Sequence, residues 1–324
     1  MRIAVYGAGA SGGHLAVRLV GAGHEVSVLA RRAHLDAIRR TGLRLISGEG
    51  DTTVTVTASD DPRRLGQQDL VLVTVKATAL SAVAEGIGPL IGPDTRVIFC
   101  QNGLQWWYPM GGQQPSLRDL PVFRLAERFL ACMAPEQVLG GFLYTANAVQ
   151  APGVVFNTSP GNNRIRFAPA LPGLADDTAP LRAVFEAVGI ASEPVDDVRR
   201  QLWRKLLFNM SGSLLALATL NKSNISRQDP ELSETFCRLA DEGLAIAAAF
   251  GHPLHDELVP QRMLAMLNDH KPSLLQDYEQ GRRMELAEIA LAPLQMARAA
   301  GVATPTLQTV TAMVCQLARD RGLL

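Results

Sequence analysis

Residues 2–12 read Arg-Ile-Ala-Val-Tyr-Gly-Ala-Gly-Ala-Ser-Gly, an apolar run that passes straight into a glycine-rich turn. Arg2–Tyr6 is a short apolar run that reads as a buried strand. Gly7-Ala8-Gly9-Ala10-Ser11-Gly12 then fits GxGxxG, directly after the strand, and opens an amphipathic stretch over 14–20 that Gly21 and Gly23 end. A second β-branched run, Glu25–Leu29, follows. Strand, glycine turn, helix and strand within about 30 residues make a βαβ unit, which implies a parallel sheet and a right-handed crossover. In that setting Gly7 permits a tight turn, Gly9 lets the backbone approach a pyrophosphate, and Gly12 lets helix and strand pack closely. The six residues Gly7, Ala8, Gly9, Ala10, Ser11 and Gly12 are therefore candidates for a dinucleotide cradle, with the helix N-terminus facing the phosphates. The bland alternative is a glycine-rich turn without a ligand.

The end of the second strand refines the cofactor. An NAD site usually carries Asp or Glu there for the ribose 2′-hydroxyl. This chain instead reads Leu29-Ala30-Arg31-Arg32. A guanidinium fork suits a 2′-phosphate, so Arg31 points to NADPH rather than NADH. Arg32 also fits a solvated helix start.

Leu43–Ser47 and 52–57 are predicted to form a hairpin across Gly48-Glu49-Gly50-Asp51. The apolar runs 69–76 and 96–101 read as strands covered on both faces. Runs at 142–149, Val154–Asn157 and 164–167 alternate, so the sheet is expected to end antiparallel. Residues 103–140, with Trp106-Trp107-Tyr108, are expected to be an inserted lid or a partner surface. Near 195 the β-branched runs stop and helical periodicity takes over. Helices are predicted over 196–220, after the Asp229-Pro230 cap as far as Gly251, and over 255–267, 284–300 and 305–317. The reading is an α/β fold: a dinucleotide-binding domain over 1–195 and an all-helical domain over 196–324.

Composition bounds the function. The 324 residues are 47% hydrophobic and 19% charged, with 31 basic against 31 acidic side chains. A neutral chain has no global field for nucleic acid or an anionic membrane. Cys100, Cys132, Cys237 and Cys315 form no CxxC, which argues against a disulfide framework or a zinc knuckle, and no metal site is expected. With no signal-peptide pattern and no apolar run of about 18 residues, a cytoplasmic protein is expected. The Ala- and Leu-rich helical faces are candidates for a homodimer interface.

Several polar residues stand where apolar ones are expected. Lys76 and Asn102 end successive strand runs, where ligands of doubly wound sheets lie. Lys205, Asn209 and Ser213 recur at i, i+4 and i+8 and form one stripe among bulky apolar residues. A lysine in such surroundings needs a partner or a lowered pKa, and either suits a proton donor near neutrality. An exposed stripe on an amphipathic helix is the alternative. Ser273-Leu274-Leu275-Gln276 reads as a capping box. Glu285 follows twelve residues later; in one straight helix the two would be about 18 Å apart, so Gly281 is where the helix must break for both to serve one ligand.

With these residues assembled, the chain resembles the ketopantoate reductase (2-dehydropantoate 2-reductase) family along essentially its whole length. The resemblance is carried by GAGASG at 7–12, Val-Lys-Ala at 75–77, Gln-Asn-Gly at 101–103, Trp-Arg-Lys-Leu at 203–206 with Asn209, Lys-Pro-Ser-Leu-Leu-Gln-Asp at 271–277, and Gly-Arg with Glu285. It implies a Rossmann-type NADPH domain followed by a helical domain like that of 6-phosphogluconate dehydrogenase, with the active site between them. Lys205 would then protonate the ketone oxygen and stabilise the developing alkoxide. Glu285 would lie near the lysine and the nicotinamide, Lys76 would contact cofactor, and Asn102 both cofactor and substrate. Asn209 and Ser273 would hydrogen-bond substrate, and the strand near Asn147 would add a backbone contact to cofactor. The family's second helix asparagine is replaced by Ser213, and a further one aligns with Ser223, one step from Asn224. Both departures touch substrate-holding positions and keep open a related 2-keto acid or 3-hydroxy acid dehydrogenase. A non-catalytic NADPH-binding protein is the non-enzymatic alternative.

Overall fold

A computed structural model of the chain describes all residues except 113–116 and 118. The chain divides into two compact units. The first takes Met1–Gln101, Met110–Gly112 and Leu125–Val198; the second takes Asn102–Pro109, 119–124 and Arg199–Leu324. The Asn102–Pro109 stretch thus clusters with the helical unit and not with the strands that precede it.

The first unit is built on a seven-stranded sheet in the order β11-β8-β7-β6-β1-β2-β5. Its strands are β1 (Arg2–Tyr6), β2 (Glu25–Leu29), β5 (Thr57–Ser59), β6 (Leu70–Val73), β7 (Arg96–Phe99), β8 (Val138–Tyr144) and β11 (Arg164–Pro169). All pair in parallel except β11, which runs antiparallel to β8. In β1, β6 and β7 the apolar residues are fully buried, as the unbroken Val/Ile/Leu runs required. β1 lies between β2 and β6, so the strand order reverses direction at the end of β1, where the glycine loop starts. Four helices belong to this unit: α1 (Ala10–Gly21), α2 (Arg32–Thr41), α3 (Leu80–Gly86) and α4 (Leu125–Leu130), and a fifth, α5 (Ala179–Glu186), precedes its end.

Two expectations are corrected here. The 52–57 run is not one hairpin arm. β4 (Gly50–Val54) pairs with β3 (Leu43–Ser47), whereas Thr57–Ser59 crosses to the main sheet as β5, held by Ala30 N–H donating to Ser59 O at 3.0 Å. Nor does one sheet hold every strand. β9 (Asn147–Ala151) and β10 (Val154–Asn157) join β3 and β4 in a second sheet, ordered β4-β3-β10-β9. The chain leaves the main sheet at Thr145-Ala146, where the side chains of Thr145, Asn147, Asn157 and Asn163 hydrogen-bond to one another in a polar knot. The small sheet packs on the face of α1 that the main sheet leaves open. α1 is therefore buried on both sides: Gly13 leaves room for Val155, and His14 has no exposed surface.

The second unit is helical: α6 (Val198–Phe208), α7 (Leu214–Ala218), α8 (Ile225–Gln228), α9 (Pro230–Ala249), α10 (Pro260–Ala265), α11 (Ser273–Glu279), α12 (Ala292–Ala300) and α13 (Pro305–Asp320). α9 starts as its sequence predicts, with Asp229 Oδ1 accepting from Leu232 N–H at 2.9 Å and Pro230 in the first turn. The helix predicted over 255–267 shrinks to α10, because Pro260 sets its first turn. The helix predicted over 196–220 is interrupted by a π segment, Asn209–Ser213, the one predicted over 284–300 opens on another, Ala287–Leu291, and these two segments pack against each other.

The expected lid is also corrected. Trp106 and Trp107 have no exposed surface and Tyr108 almost none. Trp203 Nε1–H donates to the Tyr108 hydroxyl at 2.9 Å, Arg199 Nε–H to Tyr108 O at 2.8 Å, and Trp107 Nε1–H to Gln105 Oε1 at 2.6 Å. Tyr108 also stacks on Phe123. The aromatic run is core of the helical unit.

Candidate active site

In the first unit the glycine loop has the form a dinucleotide requires. Gly7 sits at φ +107, and a Cβ there would meet Val75 Cγ1 at 2.5 Å. A Cβ on Gly12 would collide with Gly7 O and Thr74 Oγ1, the latter donating to Gly7 O at 2.9 Å. Gly9 is different: nothing lies within 4 Å of the Cβ it lacks, so its face is open to a ligand. Gly9 also caps α1 without a side-chain bond, which leaves the N–H groups of Ala10, Ser11 and Gly12 pointing out of the first turn.

A histidine missed in the sequence braces this loop. His34 on α2 accepts from Gly153 N–H at its Nδ1 (3.0 Å), so Nε2 carries the proton and donates to Ala8 O at 2.6 Å. Only the fold brings residues 8, 34 and 153 together, and no local pattern marks it. Arg31, extended and exposed, precedes α2 at the end of β2. Burial pushes the Tyr6 hydroxyl above its usual pKa while the charge of Arg31 pulls it back, which sets Arg31 beside the end of β1. Arg32 adopts a left-handed φ of +54 and is exposed. Lys76 follows β6 before a 3₁₀ turn, Ala77–Ala79, with its ammonium buried. The neighbouring Gln101 ties the two strand ends by donating to Val73 O and Val75 O, both at 2.9 Å. Asn147 lies in the second sheet, its amide oxygen accepting from Asn157 Nδ2 at 2.7 Å and its own Nδ2 donating to Thr145.

In the second unit, residues distant in sequence meet. Asn102 Nδ2 donates to Glu285 Oε2 at 3.3 Å, across 183 positions of sequence. Glu285 is buried. The turn after Asn102 is fixed to the second π segment: Gly103 has φ +78, a Cβ there would lie 2.6 Å from the Glu288 backbone, and Leu104 N–H donates to Glu288 O at 2.9 Å. Lys205 lies in the last turn of α6 and is half-buried, and Asn209 and Ser213 bound the first π segment. The expected i, i+4, i+8 stripe thus runs through a π turn, which rotates Ser213 relative to Lys205 away from plain helical spacing. α11, carrying Ser273, packs on this first π segment, so its helix shares the neighbourhood.

The capping box is corrected: Pro272 precedes α11, Ser273 is its exposed first residue with no side-chain cap, and Gln276 Nε2–H donates to Lys271 O at 2.8 Å. Gly281, at φ +64, breaks the chain between Ser273 and Glu285, as spacing required. Asn224 precedes α8 half-buried, and Ser223 is buried with its N–H donating to His270 O. A second carboxyl, Glu288, was not singled out in the sequence. Burial, and then the charge of Glu285, push its pKa up to about 7. Among the described residues no group of three or more His, Cys, Asp or Glu side chains could hold a metal, and no helix is long and apolar enough to cross a membrane.

Known proteins resemble this chain along nearly its whole length. The family profile described as Ketopantoate reductase PanE/ApbA matches residues 3–169, and that of the Ketopantoate reductase PanE/ApbA C terminal matches 197–318. A 2-dehydropantoate 2-reductase of Mesorhizobium japonicum is 31% identical over 339 aligned positions, which cover 99% of each chain. A solved Ralstonia solanacearum structure, assigned provisionally as a ketopantoate reductase, is 32% identical with a TM-score of 0.89, over 100% of this chain and 99% of that one. D-mandelate dehydrogenase, solved with NADH and anilino(oxo)acetate, shares the fold at a TM-score of 0.86 and 19% identity, over 99% of this chain and 100% of that one. The glycine loop, the Asn102–Glu285 pair and the two matched profiles lead to one conclusion: the chain belongs to the ketopantoate reductase family.

Proposed function

We propose that this chain reduces a 2-keto acid with NADPH, ketopantoate to pantoate being the reaction its relatives' names favour. The hydrogen bond between Asn102 and Glu285 carries the reading, because it joins two signatures that lie 183 positions apart in the sequence. The open face of Gly9, the uncapped start of α1 and Arg31 fit a dinucleotide with a 2′-phosphate. Bound NADPH supplies the hydride. The chain supplies the rest: Lys205 donates a proton to the ketone oxygen and offsets its developing charge. Glu285, held by Asn102, orients the reacting groups. Lys76 and Asn102 steady the cofactor, with the backbone near Asn147 adding one contact. Asn209, Ser213, Asn224 and Ser273 bind the substrate's polar groups. The first domain, 1–195, holds cofactor and the second, 196–324, holds substrate, in a cytoplasmic enzyme that works as a homodimer.

The half-buried Ser213 and buried Ser223, at positions where the family uses asparagine, favour a second reading in which the substrate is another 2-keto acid, such as an aryl one. NADPH absorbance followed with ketopantoate, benzoylformate and pyruvate separates the two. Turnover of none of them, with tight NADPH binding retained, would leave only a cofactor-binding protein.

A further inference from the structure

Glu285 has a companion that the mechanism above does not use. Glu288 lies three residues after it, inside the π segment Ala287–Leu291. Its backbone is locked to the same turn that supplies Asn102, through Gly103 and Leu104. Its Oε2 is shielded from solvent and has no hydrogen-bond partner among the described residues. A bare carboxylate in such a place is expensive, whereas a carboxylic acid is tolerable. The elements packed against the segment are α12, α13, the first π segment and the 102–104 turn. Their ionisable side chains are Arg298 on α12 and Cys315, Arg319 and Asp320 on α13, with Lys205 on α6 just before the π segment. The charge acting on the Glu288 carboxyl is that of Glu285, and two such neighbours resist ionising together.

We propose that Glu288 is a positioning residue: a second carboxyl that keeps a proton beside Glu285, so that this corner carries one negative charge instead of two when an anionic keto acid binds. The inference rests on the keto-acid reading above. Through that added charge, ionisation of Glu288 weakens binding of a substrate carboxylate and leaves the chemical step nearly untouched. Glu288 thereby favours neutral to mildly acidic conditions for substrate capture.

The test pairs a spectroscopic readout with kinetics on the full chain. Infrared difference spectra across pH 6 to 8 detect a protonated carboxyl directly. Other resolved carboxyls, such as Glu49, Asp61, Asp177 and Glu257, are held below their ordinary range and stay silent there. A band lost on raising the pH through about 7 is expected in the wild type, absent in Glu288→Gln and kept in Glu288→Asp. Over the same range the KM for the keto acid should rise about fivefold in the wild type with kcat nearly constant, and stay flat in Glu288→Gln. A missing band in the wild type, a band that survives Glu288→Gln, or a KM slope identical in both proteins overturns the proposal. If Glu288→Gln does not fold by circular dichroism, Glu288→Asp decides: loss of band and slope in a folded Asp variant is equally fatal. A band that behaves as expected while no keto acid is reduced supports the paired carboxyls and sinks the functional reading instead.

Discussion

His14 makes the first unit sensitive to acid in a way that can be sized from its surroundings. It has no exposed surface, and neither ring nitrogen finds a hydrogen-bond partner among the described residues. Burial, followed by the nearby charge of Arg18, lowers its pKa from 6.5 to about 4, with Glu49 acting weakly in the other direction. The unfolded chain therefore binds a proton between pH 6.5 and about 4 that the folded chain refuses. Stability is unaffected above that window, falls as the pH drops through it, and levels off below. At 1.36 kcal/mol per pH unit the full loss is about 3 kcal/mol, of which about 2 kcal/mol falls between pH 7 and 5. Replacing His14 with Leu removes the titration and seats an apolar group of similar volume in apolar surroundings. Urea melts at the two pH values, followed by far-UV circular dichroism, compare the proteins. Tryptophan fluorescence in the same melts reports the helical unit, where Trp106, Trp107 and Trp203 all lie. The wild type should lose about 2 kcal/mol more than His14→Leu on going from pH 7 to 5. Equal losses would refute the claim that a buried, neutral imidazole governs the difference.

The remaining predictions concern the site. Lys205→Ala should cut kcat by about 10² or more while the Kd for NADPH, read by fluorescence quenching, stays within about twofold; unchanged turnover removes the lysine from the chemistry. Arg31→Ala should raise the Kd for NADPH about tenfold and leave that for NADH alone; an equal effect on both would contradict the 2′-phosphate role. Gly12→Ala should fail to fold or melt far lower, because its new methyl meets backbone and Thr74, whereas Gly9→Ala should keep the wild-type Tm and lose NADPH binding. A Gly9→Ala protein that binds NADPH normally would place the pyrophosphate elsewhere.

What the sequence made legible was what a local period encodes. β1, the glycine loop and α1 fall where strand, turn and helix patterns change over. Asp229 announces α9 because a cap needs only its own next three residues. Features that depend on distant partners were not legible. Thr57–Ser59 and Thr52 look alike as β-branched stretches, and only the competition between β2 and β3 for partners separates them. Trp106-Trp107-Tyr108 looks like a sticky surface in isolation, yet Trp203 and Arg199 supply the polar partners that let it be buried. In the site, Lys205, Asn209 and Glu285 stood out as polar groups on apolar faces. The π turns that follow Lys205 and Glu285 did not, since one extra residue per turn leaves helical periodicity nearly intact over so short a stretch. Glu288 stayed hidden because an acidic residue one turn after another reads as solvated charge.

The burial of Trp106 and Trp107 means that the helical half is not encoded by the C-terminal half of the gene product alone. Part of its hydrophobic centre is lent by a loop that sits between two strands of the nucleotide-binding half. A fragment spanning 196–324 would emerge with Trp203 stripped of its phenolic partner and a hollow where two indoles belong. Such a fragment should be molten or insoluble when made on its own, and should recover only when residues 102–109 are offered back to it. The 102–109 segment must therefore wait for partners synthesised about a hundred residues later, which ties the folding of the second half to a piece of the first.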